Sequence, residues 1–227
     1  MKTLITCNFK TNGLLSSSQI VNTLLEQELN RENGFGVNNV ETEGDIIKAR
    51  LIKISYSYIF DYNDDTKEIE KKQISIVNEI DFLIDFNQAL ICIIGAISNV
   101  PPVRTFFRNT FKDQLLISPY SQTVPEICEK LIAKRVSFKY LSLAIDNFKY
   151  MDGAVGKFSG NVLKNDIAQN LVDTYTTDIK RLGISIFLAD YLEPVEIVVA
   201  NMGFLKIAAD QNEFDEIFND LKTLLYT

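Results

Sequence analysis

Two neighbouring stretches in which every second residue is apolar constrain this chain more than anything else in it. In the first, Ile52, Ile54, Tyr56, Tyr58, Phe60 and Tyr62 alternate with Lys53, Ser55, Ser57 and Asp61. In the second, Ile74, Ile76, Ile80, Phe82, Ile84 and Phe86 alternate with Ser75, Glu79, Asp81 and Asp85. Successive side chains of a strand point to opposite faces, so each run predicts a strand with one apolar and one wetter face. Asn63-Asp64-Asp65-Thr66 between them is turn chemistry. The following run, residues 89–94, is apolar throughout, as a strand covered on both faces is. Together the three predict an antiparallel meander.

The flanking sequence reads as mixed helix and strand. Lys2–Phe9 predicts a first strand, and Ser16–Ser18 offer caps to a helix carrying Ile20, Val21, Leu24, Leu25 and Leu29. Gly34 and Gly36 read as a helix stop, with a polar connection after them. Pro101 and Pro102 open a helix whose Val103, Phe106, Phe107 and Phe111 line one side. Thr123-Val-Pro-Glu126 fits a capping box for the next helix. Val136–Ile145 predicts a strand, residues 153–160 a glycine-rich loop, and Asn165 to Leu182 a helix stopped by Gly183. Strands at 184–189, 195–200 and 204–208 precede a final helix capped by Asn212 and striped by Phe214, Ile217, Phe218, Leu221, Leu224 and Leu225. The expected fold class is therefore α+β. An antiparallel meander with flanking helices over residues 1–120 is followed by a smaller ferredoxin-like β-α-β-β-α unit over 121–227, the two forming either separate cores or one.

Composition removes several kinds of chemistry. The chain has no histidine, which excludes imidazole-activated nucleophiles and the usual zinc sites. Cys7, Cys92 and Cys128 lack metal-ligand spacing and read as small buried hydrophobes in a reducing compartment. No nucleotide-binding glycine motif, nucleophile elbow or metalloprotease helix is present, so no cofactor is expected. No apolar run reaches the roughly 18 residues of a membrane-spanning helix, and the first residues meet Asn8 and Lys10 too soon for a signal-peptide core. A cytoplasmic protein is expected. Richness in Ile, Asn, Lys and Phe suits an AT-rich genome, and so a bacterial or phage protein.

One constellation offers catalysis. Leu143-Ala-Ile-Asp146 and Leu188-Ala-Asp190 each bring a carboxylate to a strand end. Were those strands parallel neighbours, Asp146 and Asp190 would meet at one sheet edge, where paired acids hold Mg²⁺ or Mn²⁺ for phosphoryl transfer or nuclease chemistry. Lys157 in the glycine-rich stretch would then lie over a phosphate.

Charge is segregated along the chain. Residues 104–139 carry seven cations against three acids inside a protein of net charge −7, whereas residues 23–87 carry 14 acids against seven cations. Arg104, Arg108 and Lys112 recur every four residues and stack along one helical ridge, with Lys134 and Arg135 further on. These five are the candidate contacts to an anionic partner, nucleic acid or protein; the alternative is that they pair with the chain's own acids. The tyrosine run on residues 56–62 reads as a half-buried sheet face or as an interface. The expected function is non-catalytic: contact with a protein partner or self-association, as a subunit or accessory factor of a bacterial or phage assembly.

Overall fold

The structure, a computed structural model, describes residues 2–13, 15–189, 191–210 and 213–226. It is mixed α+β, built on antiparallel sheet. In chain order the elements are β1 (Lys2–Thr11), α1 (Ser17–Leu25), β2 (Phe35–Glu43), β3 (Ile46–Asn63), β4 (Glu68–Asp85), β5 (Leu90–Ile94), α2 (Val100–Phe111), β6 (Leu115–Pro119) and α3 (Val124–Ala133). Then come β7 (Phe138–Met151), β8 (Ala154–Asn161), α4 (Asn165–Thr174), β9 (Ile179–Ile186), β10 (Val195–Ala200), β11 (Phe204–Ile207) and α5 (Phe214–Leu225). The chain divides into two compact units. One holds residues 9–93 and 98–117; the other holds the residues before 9, residues 94–97 and the chain from Ser118 on. The first residues thus join the C-terminal part. Among the described residues, no helix is long and apolar enough to cross a membrane.

In the first unit the strand order β2-β3-β4-β5 is an antiparallel meander. Its core face is the odd phase of β3, where Ile47, Ala49 and Leu51 stand opposite Ile84, Phe82 and Ile80, all buried. Helix α2 lies over this face. Val103, Phe106, Phe107 and Phe111 are its buried stripe, and Phe107 meets Phe82 edge-on at 5.4 Å between ring centres. Prolines in its first turn pre-set the backbone where no N–H partner is needed. All four of Leu90, Ile91, Cys92 and Ile93 on β5 are buried, as a doubly covered strand requires. Residues 38–39, expected in a loop, are strand in β2. Leu25 and Leu29 lie at and beyond the helix end and are exposed.

Register decides the rest of the meander. Ladder partners share a face, and β3 pairs β4 so that Tyr56 faces Ser75 and Ile76 faces Ser55. The apolar face of β3 and the apolar face of β4 therefore lie on opposite sides of the ribbon. Only the lower part of one of them, Ile80 to Ile84, is covered.

The second unit has the strand order β1-β11-β10-β9-β7-β8, with each neighbouring pair antiparallel. Its helices bury Ile127, Cys128 and Leu131 from α3, Ala168 and Val172 from α4, and Phe214, Ile217, Phe218, Leu221 and Leu225 from α5. The Thr123–Glu126 capping box forms: Thr123 N–H donates to Glu126 Oε2 at 2.6 Å. Two local expectations fail. The glycine-rich stretch is strand β8, closed onto β7 by the two-residue turn Asp152-Gly153, with Gly153 at φ 81°. The helix expected to run to Leu182 stops at Thr174, and Gly183 sits inside β9 between Ser142 and Val198. A Cβ there would collide with Ser142 Oγ, so close strand approach, not helix termination, explains this glycine. The resulting order β-β-α-β-β-β-α differs from the expected β-α-β-β-α. Asn212, the expected cap of the last helix, lies outside the described residues.

Candidate interaction surface

Beyond Ile54 the β3–β4 hairpin leaves its neighbours. The β2 pairing ends at Phe35–Lys53, and β5 pairs only residues 82–85 of β4. The eight ladder pairs from Tyr56–Ser75 to Asn63–Glu68 continue as a two-stranded arm, extended by roughly 25 Å at about 3.3 Å per residue. Its turn is locally built: Asn63 Oδ1 accepts from the N–H groups of Asp65 and Thr66, at 2.9 and 3.3 Å. One face of the arm carries Tyr56, Tyr58, Phe60 and Tyr62, with Ile69 across from Tyr62. Phe60 is 74% exposed and Ile69 71% exposed, so this face is uncovered. Lys71 places its ammonium 4.0 Å from the centre of the Tyr58 ring. The other face carries Ile59 and Ile76 toward the base and Asp61, Glu68 and Glu70 at the tip.

Tyr56, Tyr58 and Tyr62 are each a little over half exposed, so the run lies on an open face of the arm. The signal for a two-faced arm is present in the sequence. Ile59, Ile69 and Val77 are apolar residues out of phase with their own strands, and a run apolar in both phases is not a one-sided sheet face. At the arm's base Arg50 grips Asp81 (Nε–Oδ1 2.6 Å, Nη2–Oδ2 3.2 Å) and Glu79 (2.9 Å). These carboxylates hold the guanidinium pKa above its ordinary value, Asp81 most of all.

The same unit holds a groove of about 430 Å³ between α2 and β6, lined by Pro101, Arg104, Thr105, Arg108, Leu115, Leu116 and Ile117. Strand β6, which no sequence pattern announced, pairs β1 and, among the described residues, no other strand. Arg104 and Arg108 are exposed and have no carboxylate within 4.0 Å among the described residues.

The other expected contacts go elsewhere. Lys112 caps α2 at φ 51° and does not line the groove. Lys134 donates from Nζ to the carbonyls of Thr223 and Leu224, at 2.8 and 3.2 Å, where α5 ends and its dipole favours a cation. Arg135 takes a left-handed φ of 56°, and its N–H donates to Ile132 O to close α3. The structure unites Arg104 and Arg108 and uses Lys134 and Arg135 as helix-end residues.

The carboxylate pair lacks its premise. β7 and β9 are antiparallel, not parallel. Asp146 lies inside β7 beside the start of β9, whereas β9 ends at Ile186, opposite Phe138 at the other end of β7. Asp190 itself lies outside the described residues. Asp146 pairs with Lys157 at 3.5 Å, and among the described residues no three acidic or cysteine side chains come together to hold a metal. The cysteines are all buried, and among the described residues none forms a disulfide. Burial pushes the Cys128 thiol up to about 11, which keeps it protonated and unreactive.

A scan of known protein families finds no model that matches the chain, and a search of curated proteins finds no match either.

Proposed function

We propose that this protein works by macromolecular contact, as a non-catalytic component of a protein assembly, and that the β3–β4 arm is its docking element. One observation carries the reading: large apolar side chains stand exposed on both faces of a ribbon that, past Ile54 and before Phe82, has no third strand paired to it among the described residues. A lone two-stranded hairpin is marginal in water, and open strand edges with apolar faces invite pairing with another chain. Selection against aggregation removes such a feature unless a partner covers it. The test replaces residues 56–75 by a two-residue turn. The shortened protein is expected to keep its melting temperature and to lose the partner that the intact protein retains in a pull-down. Retention of the same partner by the shortened chain would end the proposal.

A further inference from the structure

Resting on that reading of the arm, we infer that its occupant is a second copy of this chain, whose α2–β6 groove receives the arm's acidic tip. Asp61 faces Glu70 directly across the ladder, with Glu68 beside them and Asp64 and Asp65 in the turn. Like charges directly opposite oppose hairpin formation, and a cation arriving from outside removes that penalty. Within the arm, Lys72 shares this face with Asp61, Glu68 and Glu70, and Asn63 Nδ2 donates to Glu70 Oε1 at 2.7 Å, so three acids meet one cation there, while Lys71 is engaged on the other face by Tyr58. Arg104 and Arg108 are the complementary pair: like charges one turn apart on α2, without a carboxylate in reach among the described residues. Guanidinium forks match carboxylates two hydrogen bonds at a time.

The remaining surfaces fit the same pairing. Pro101, Leu115, Leu116 and Ile117 give the groove an apolar lining for Ile59, which is exposed on the same face of the arm as Asp61 and Glu70. β6 keeps one edge without a strand partner among the described residues, and so do both arm strands beyond Ile54 and before Phe82. Edge-to-edge strand addition supplies main-chain hydrogen bonds, while the charges set register and exclude wrong partners. Phosphate backbones would meet the arm's acids as well as the groove's arginines, so nucleic acid is the poorer occupant. Because arm and groove are different surfaces, copies either exchange arms about a two-fold axis or add head to tail.

The experiment is sedimentation velocity of the purified full-length chain from low to high micromolar concentration, at low and high salt. Wild type is expected to self-associate, more weakly as salt rises. R104E/R108E and D61K/E70K should each lower the association constant about tenfold or more. Their combination should restore it to within a few-fold. Should R104E/R108E fold poorly by far-UV circular dichroism, R104Q/R108Q serves in its place. A wild type that stays monomeric throughout, an association indifferent to both reversals, or no recovery in the combined variant would overturn the inference. A monomer that still captures a different protein through its arm would overturn only this occupant. Shortening the arm without effect on self-association or on capture would overturn the arm reading as well.

Discussion

The chain builds two hairpins that run past their neighbours, and it treats their aromatic residues in opposite ways. In β7–β8 the ring of Phe148 meets Tyr150, Phe158 and Tyr175 at 5.0, 5.2 and 5.2 Å between centres. Tyr150 OH donates to the Lys157 carbonyl, and Lys149 N–H donates to Tyr175 OH at 3.3 Å. Two register shifts, after Ile145 and after Lys149, bend this strand and collect its rings into one cluster. In β3–β4 the ladder runs unbroken from Ile46–Asp85 to Asn63–Glu68, and among the described residues no two rings of the arm pair as those of β7–β8 do. Hairpin aromatics can be satisfied within their own unit when bulges re-aim them. Where the register stays regular they face outward, and a regular ribbon keeps its edges straight for another strand.

That contrast can be broken by measurement. The largest effect is expected beneath the arm's base. Phe107→Ala empties a fully buried site against Phe82 and should cost about 3–5 kcal/mol in urea unfolding. A loss below half a kcal/mol would mean that α2 does not cover the meander. Phe148→Ala comes next. Three ring partners around a half-buried side chain predict a loss of roughly 1–3 kcal/mol, and an unchanged unfolding midpoint would reduce the aromatic cluster to coincidence.

A smaller effect belongs to the capping box in the same unit as β7–β8. Hydrogen bonds from Thr123 hold the Glu126 carboxyl below its ordinary pKa. A depressed folded pKa means stability that is present above the ordinary carboxylate pKa and is lost as pH falls through the lowered value. Glu126 is exposed, so the loss is small; acid titration of E126Q should lack that component.

The smallest expected effect is the most informative. Phe60→Ser removes the arm's most exposed ring and should change stability by less than about half a kcal/mol, while arm amides exchange with solvent faster than those of β7 opposite β9. A cost of several kcal/mol, read by the same urea titration, would show the arm to be buried within the chain's own core.

Local physics made much of this protein legible from its residues alone. Period two announced β3 and β4, an unbroken apolar run announced β5, the turn at Asn63 followed from its side chain, and the stripe of Val103, Phe106, Phe107 and Phe111 predicted the buried side of α2. The Thr123–Glu126 box was readable because both partners lie within one turn. These features depend on neighbours in sequence. The tertiary structure decided the rest because strand register and helix-end partners are long-range. Only pairing shows that the apolar faces of β3 and β4 point opposite ways. Only the arrival of α5 turns Lys134 from a candidate anion contact into a cap. Residues 179–182, apolar enough for a helix stripe, became strand because β7 and β10 offered hydrogen bonds on both sides. Burial belongs to whatever packs on a face. A sequence can say that Tyr56 to Tyr62 share a face, but only the fold leaves that face open.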